Sequence, residues 1–317
     1  MTGEGDVMTE PKVSGATIVL EDVSRWYGNV VAVNGMSFSV SPGITGLLGP
    51  NGAGKSTVLH MLSGFLKPSA GEVRVLGESA WGNPSLYRRL GLVPERESVY
   101  GLLTGYEFVR LNARLQGLPD PEEAARVAIR TVDLEDAAGR PTGGYSKGMK
   151  QRIKVAAALV HDPAVLLLDE PFNGADPRQR LHMIELFRRL AAEGRTIIFS
   201  SHILEEVERL AERVLVVVGG RLAASGDFRE IRRLMTDRPH TFTLRTSDDR
   251  RIAAALVAHE SVVGVELGGD RLTVRTAQLG AFALAIPTIA RACNVTLREL
   301  RPTDESLEDV FSYLVSR

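Results

Sequence analysis

The chain has 317 residues, 44% hydrophobic and 24% charged, with a formal net charge of −1. That composition suits a globular protein able to bury a sizeable core, and it gives no electrostatic case for nucleic acid as the main partner. A single cysteine, Cys293, excludes an internal disulfide framework, and no uncharged apolar run reaches the ~18 residues a membrane span needs.

In chain order, residues 1–15 are acidic and lack an apolar stretch, so they read as a disordered lead-in rather than a signal peptide. Strands are predicted over Ala16–Leu20, Val31–Val40 and Ile44–Leu48, and a helix from about Lys55 to Phe65. Short β runs follow at Glu72–Leu76 and Leu90–Val93. Tyr106–Val132 reads as mostly helical, broken at Gly117-Leu118-Pro119, and a further helix starts after Ser146. Ala164–Leu168 is all apolar, the pattern of a strand covered on both faces of a parallel sheet. An amphipathic helix (Pro177–Glu193), a strand (Thr196–Ser200), a helix (Leu204–Ala211) and a strand with its turn (Val214–Gly220) complete an α/β alternation around a mainly parallel sheet.

The tail changes pattern. His240–Thr246 (β), Asp249–Ala258 (α), a hairpin of Val262–Leu267 and Arg271–Thr276, Gln278–Ala292 (α) and Val295–Leu300 (β) give the βαββαβ order of a ferredoxin-like α+β domain. A last amphipathic helix is expected over Ser306–Val315, capping its own sheet. The expected division is therefore a first domain over 16–236 and a second over 237–317, with the boundary in the charged stretch near Thr236–Pro239. Cys293, in an apolar helix, reads as a small buried hydrophobe.

Two stretches carry chemistry. Gly49-Pro50-Asn51-Gly52-Ala53-Gly54-Lys55-Ser56 fits G-x-x-x-x-G-K-[ST] between the strand ITGLL and a helix. Glycines let the backbone curl so that successive N–H groups face one anion, and the helix start adds partial positive charge. Lys55 is expected to reach the β- and γ-phosphates and Ser56 to ligate Mg²⁺, with Thr57 among the nucleotide contacts. AVLLLDEP then ends an apolar strand in two carboxylates. Lying beside the cradle strand, it would bring Asp169 to the metal and let Glu170 polarise a water, both suited to phosphoryl transfer. A second anion-binding helix start, GGYSKGMKQR, offers Ser146 as a cap and Gly148 as a bare position.

From Tyr27 to His202 these motifs stand in one order, and over about residues 16–230 the chain resembles an ATP-binding cassette (ABC) ATPase. The resemblance implies a P-loop α/β core with an antiparallel β part and a helical subdomain over about 97–160. It implies that Tyr27 stacks on adenine, that Ser146, Lys147, Gly148 and Met149 stand for the signature LSGGQ, and that Asp176 lies in the loop crossing to a partner. His202 matches the switch histidine that contacts the γ-phosphate. Two cassettes, here a homodimer, would close head to tail on ATP and Mg²⁺, with transmembrane permease subunits beside them at the cytoplasmic face of the membrane. Two departures stand out. Glu95 replaces the usual Gln near the metal, and Met149 replaces a donor. Lys147 either adds a cation near the γ-phosphate or lies exposed. Both departures, with the extra C-terminal domain, resemble a bacterial branch that exports drugs, antibiotics or sodium. In the helical subdomain, Phe108, Leu111 and Leu115 are expected mostly in the core, with the docking groove near Arg96–Leu103. The C-terminal domain is expected to reinforce or regulate the dimer. A soluble cassette acting on ribosomes or DNA would carry two cassettes or a long coiled coil, and a P-loop GTPase would carry N-K-x-D; neither feature is present.

Overall fold

In the computed structural model, which describes residues 15–96, 99–227, 239–268 and 271–302, the alternating and all-apolar runs separate into different sheets. The half-buried runs β1 (Ile18–Tyr27) and β2 (Val30–Val40) pair antiparallel, and β4 (Ala70–Val75) and β5 (Glu78–Ser79) extend them in the order β2-β1-β4-β5. The apolar runs β3 (Gly43–Leu48), β6 (Leu90–Val93), β7 (Val165–Asp169), β8 (Thr196–Ser201) and β9 (Arg213–Val218) are mutually parallel. With β10 (Arg221–Gly226), antiparallel to β9, their order is β10-β9-β3-β8-β7-β6. Every residue of β7 and β8 is buried, as a strand covered on both faces requires. Ile18, Val23 and Met36 of the antiparallel sheet share one core with Leu47, Leu59, Leu167 and Ile198.

The order corrects one expectation. β7 does not lie beside the cradle strand, because β8 runs between β3 and β7. The carboxyl ends of all three still lie side by side, since the strands are parallel and in register: Leu48 pairs with Ser201, and Asp169 with Ser200.

Among the described residues of this first unit, six α-helices flank the sheets: α1 (Lys55–Leu62), α2 (Gly105–Leu115), α3 (Pro121–Thr131), α4 (Lys147–Leu159), α5 (Pro177–Ala192) and α6 (Leu204–Leu210). α1 stops short of Phe65 because the chain turns at Gly64, φ +72°, in the left-handed region that favours glycine. Thr104 and Glu107 start α2 with a reciprocal capping box, and Asp120 with Pro121 starts α3. α2 differs from the core-facing expectation. Its Phe108, Val109 and Ala113 are buried, whereas Leu111 is 38% and Leu115 77% exposed. Leu111 and Leu115 lie one turn apart on α2, and with Lys154, Ala157 and Ala158 of α4 they line an open groove.

The second unit is a four-stranded antiparallel sheet of His240–Thr246, Val262–Gly268, Arg271–Thr276 and Leu297–Pro302. In space the first strand lies between the fourth and the third, and the second is at the edge. Helices Asp249–Val257 and Leu279–Ala292 cover one face, with Phe242, Leu256, Val274, Phe282 and Ile286 in the core. This is the ferredoxin-like arrangement. Cys293 packs partly buried against that core. The chain divides at Asp227/Phe228, nine residues before the expected boundary; the charged stretch up to 238, the lead-in over residues 1–14 and the expected last helix lie outside the described residues.

Because each unit has its own core, ending the chain at Asp227 should leave a protein that melts in one cooperative transition and retains nucleotide affinity within about twofold. Calorimetry and nucleotide titration of the truncated chain check both.

Candidate nucleotide site

The turn from β3 into α1 is shaped by backbone contacts on two sides. A Cβ at Gly49 would overlap the Val217 carbonyl of β9, and one at Gly54, φ +100°, would overlap the Ala32 carbonyl of β2. Both positions need glycine for space, and Gly54 also for its dihedral. Pressed between β9 and β2, the loop leaves its other side open: Gly52, φ +80°, faces no atom within 4 Å. Lys55, the first residue of α1, is 6% exposed. Its Nζ donates to the carbonyls of Gly49 at 2.7 Å and Pro50 at 3.2 Å. Asn51 is exposed and Ala53 buried, while Pro50, Ser56 and Thr57 are half-buried.

The acidic strand end reaches the same place. Asp169 closes β7, and the hydroxyl of Ser200 on β8 donates to its Oδ1 at 2.5 Å. The Ser200 hydroxyl oxygen in turn accepts from the backbone N–H of Glu170 at 2.9 Å. Glu170 sits at φ +49°, an uncommon conformation for a residue with a side chain. The turn sends its carboxylate away from that of Asp169. Oε1 lies 3.7 Å from Lys55 Nζ, and Oε2 lies 3.0 Å from Nδ1 of His202. Lys55, Asp169, Glu170 and His202 therefore meet beside the carboxyl ends of three neighbouring strands. Ser200 was not singled out in the sequence, where it is one serine in SSHILEEVE.

The buried Glu206 was also missed. Ser201 Oγ donates to its Oε2 at 2.6 Å and accepts from the backbone N–H of Ile203 at 3.0 Å, which fixes the turn carrying His202. Arg180 of α5 lies 3.6 Å from Oε1. Burial pushes the Glu206 carboxyl above its ordinary value, against the pull of Ser201 and Arg180. The helical spacing from His202 was the only sequence signal for it.

The remaining candidates form a second group. Ser146 starts α4, its Oγ accepting from the Met149 N–H at 3.2 Å, and Asp176 starts α5, its Oδ1 accepting from the Gln179 N–H at 2.9 Å. Gly148 is buried, and the Gln179 side-chain amide occupies the space a Cβ would need. The bare position thus serves the chain's own packing. Lys147 is exposed, and its aliphatic stem lies against Gly174. Tyr145, where the family has leucine, donates from its hydroxyl to the Ala137 carbonyl at 2.7 Å and ties this loop to the helical subdomain. Among the described residues no hydrogen bond or ion pair joins this group to the Lys55 cluster. Tyr27 stands apart, 47% exposed at the end of β1, with the Arg25 guanidinium 4.6 Å over its ring. Glu95 is also apart. Its carboxylate is exposed, and the ammonium of Lys154 holds its backbone, with that of Pro94 and Arg96.

A glycine-bounded turn opening on a helix start, with a buried lysine and two carboxylates at adjacent parallel strand ends, defines a P-loop nucleoside triphosphatase. The ABC transporter family matches residues 33–173. An uncharacterised ABC transporter ATP-binding protein of Nostoc sp. is 41% identical over 242 residues, 73% of this chain and 72% of that protein. The Nod factor export ATP-binding protein I of Burkholderia orbicola is 42% identical over 68% of this chain and 72% of its own length. The linearmycin resistance ATP-binding protein LnrL of Bacillus subtilis is 32% identical over 94% of this chain and 97% of its own. A solved ATP-binding subunit of an ABC transporter superposes with a TM-score of 0.63 at 31% identity, covering 69% of this chain and 92% of that one. The chain belongs to the ATP-binding proteins of ABC transporters and is an ATPase. No helix among the described residues is long and apolar enough to cross a membrane.

The raised Glu206 carboxyl has a defined pH signature. The folded chain holds this proton more tightly than the unfolded chain, so ionisation costs stability as pH rises from the ordinary 4.5 through the raised value. Glu206→Gln keeps an acceptor for Ser201 and removes that cost. The melting temperature of the variant relative to the parent should therefore be more favourable at about pH 8 than at about pH 5. A difference that is flat with pH would exclude this assignment.

Proposed function

We propose that this chain is the ATP-hydrolysing subunit of a bacterial ABC exporter, working as a homodimer with transmembrane permease subunits at the cytoplasmic face of the membrane. The observation that carries the catalytic part is the position of Glu170, between the lysine of the phosphate loop and His202. The names of two relatives, a Nod factor exporter and a linearmycin resistance protein, support export and a bacterial setting.

In this reading the open side of the Gly52 turn receives the β- and γ-phosphates, and Lys55 exchanges its two loop carbonyls for phosphate oxygens. Tyr27 offers the ring face not covered by Arg25 to adenine. Glu170 takes a proton from the attacking water as its oxygen bonds to the γ-phosphorus and the bond to the β–γ bridging oxygen breaks, leaving ADP and inorganic phosphate. The Nδ1 contact with Glu170 orients His202 and leaves Nε2 for the γ-phosphate. The donor set suits Mg²⁺: Asp169 keeps Oδ2, and Ser56 its hydroxyl, without a hydrogen bond among the described residues. Asp169 and Ser56 would hold the ion, with Glu95 as a third oxygen ligand, and it would neutralise charge on the phosphates.

The separation between the two groups of candidates supports a second copy. Among the described residues Ser146 to Met149 and Asp176 have no hydrogen bond or ion pair to the Lys55 cluster, so they serve the nucleotide on a partner's phosphate loop. For the permease, an open groove of about 520 Å³ beside residue 94 is lined by Phe65, Tyr87, Tyr100, Leu111 and Leu115. An exposed apolar groove of this kind fits a short apolar helix of another protein.

Glu170→Gln should lower the steady-state turnover number by at least about 100-fold and trap an ATP-bound dimer on gel filtration. Near-parental turnover would remove Glu170 as the base. Lys55→Ala should abolish ATP binding in an equilibrium titration, and unchanged affinity would count against the phosphate assignment.

A further inference from the structure

α4 carries a lysine that neither the motifs nor the catalytic reading uses. Lys154 is 5% exposed. Its ammonium donates to three consecutive backbone carbonyls, Pro94 at 2.7 Å, Arg96 at 3.3 Å and Glu95 at 3.4 Å. One ammonium thus gathers three carbonyls of a single loop. Successive carbonyls of an extended strand point to alternate sides, so three converge on one atom only where the chain curls. The lysine thus fixes the curl of the segment that leaves β6 and carries Glu95. The other end of the connection is rigid. Lys154 belongs to the same helix whose first turn is capped by Ser146, and Gly148, Gln151 and Ile153 are buried in the stretch of helix between them. Lys154 and Pro94 also both border the apolar groove.

We propose that Lys154 is a positioning residue: it locks the Glu95 loop to the helix that begins at Ser146, so that the two move as one body and a partner seated in the groove acts on both. This rests on the reading of Glu95 as a metal ligand for its catalytic consequence, though not for the mechanical tie itself. Burial of the ammonium among carbonyls explains why the position holds lysine. An apolar side chain of similar length would fill the space and leave three carbonyls without their donor.

The test uses the full chain with four variants: two at Lys154, one at Glu95 and one double. Lys154→Met should raise the Mg²⁺ concentration for half-maximal ATPase several-fold and lower turnover about tenfold, with ATP affinity unchanged within about twofold. Lys154→Arg, which keeps charge and donors, should recover most of the loss. Amide hydrogen exchange at Glu95 and Arg96 should speed up at least tenfold in Lys154→Met, with exchange in β7 unchanged. In Glu95→Gln combined with Lys154→Met the shifts in Mg²⁺ dependence should fall short of additive, because both act through one ligand. A variant that loses only melting temperature, with Mg²⁺ dependence and loop exchange at parental values, overturns the proposal. If Glu95→Gln alone leaves Mg²⁺ dependence unchanged, the metal-ligand reading of Glu95 fails, and the exchange of the loop amides still decides for or against the tie.

Discussion

Three charged side chains, Lys55, Asp169 and Glu170, are buried together at the carboxyl ends of parallel strands, each less than 9% exposed. Removing charges from water costs several kcal/mol apiece unless partners replace the solvent. Much of the surrounding structure meets that requirement. The loop carbonyls of Gly49 and Pro50 take the lysine, Ser200 binds Asp169 and the Glu170 backbone together, and His202 takes the Glu170 carboxylate. The left-handed turn at Glu170 lets two adjacent carboxylates point to different partners. The cluster brings together a cation, two carboxylates with different partners and an imidazole.

The same principle of exact hydrogen-bond accounting organises the periphery. Ser146 and Asp176 each satisfy the first turn of a helix of their own chain. Capping and phosphate binding draw on the same feature, the free N–H groups of a helix start. Gly148 shows the overlap most clearly. The sequence resemblance explains its bareness by an approaching phosphate, and the packing explains it by Gln179. Lys154 applies the accounting to a loop, with a buried cation in place of a helix cap.

Much of this was legible in the chain. The phosphate turn was identified because glycine spacing, an apolar strand and a helix start coincide, and each is a local property. Strands such as His240–Thr246 and Arg271–Thr276 were placed to the residue by turns on both sides. Ser200, Glu206 and Lys154 were not identified, because a serine, a glutamate and a lysine in amphipathic surroundings read as solvated. Their roles arise only where strands or helices distant in sequence meet. Leu111 and Leu115 erred in the other direction: helical spacing shows that residues share a face, and says nothing of what that face meets.

The sequence alone determined the α/β core followed by a βαββαβ unit, the phosphate loop and the identity of the acidic strand end, since periodicity, turn residues and motif spacing are encoded along the chain. Tertiary structure decided that β8 lies between β3 and β7, that Ser200 links the Asp169 carboxylate to the Glu170 backbone, that Glu170 faces Lys55 and His202, and that Lys154 holds the Glu95 loop. Strand order and the burial of a polar group depend on which surfaces pack together, and no local pattern records that.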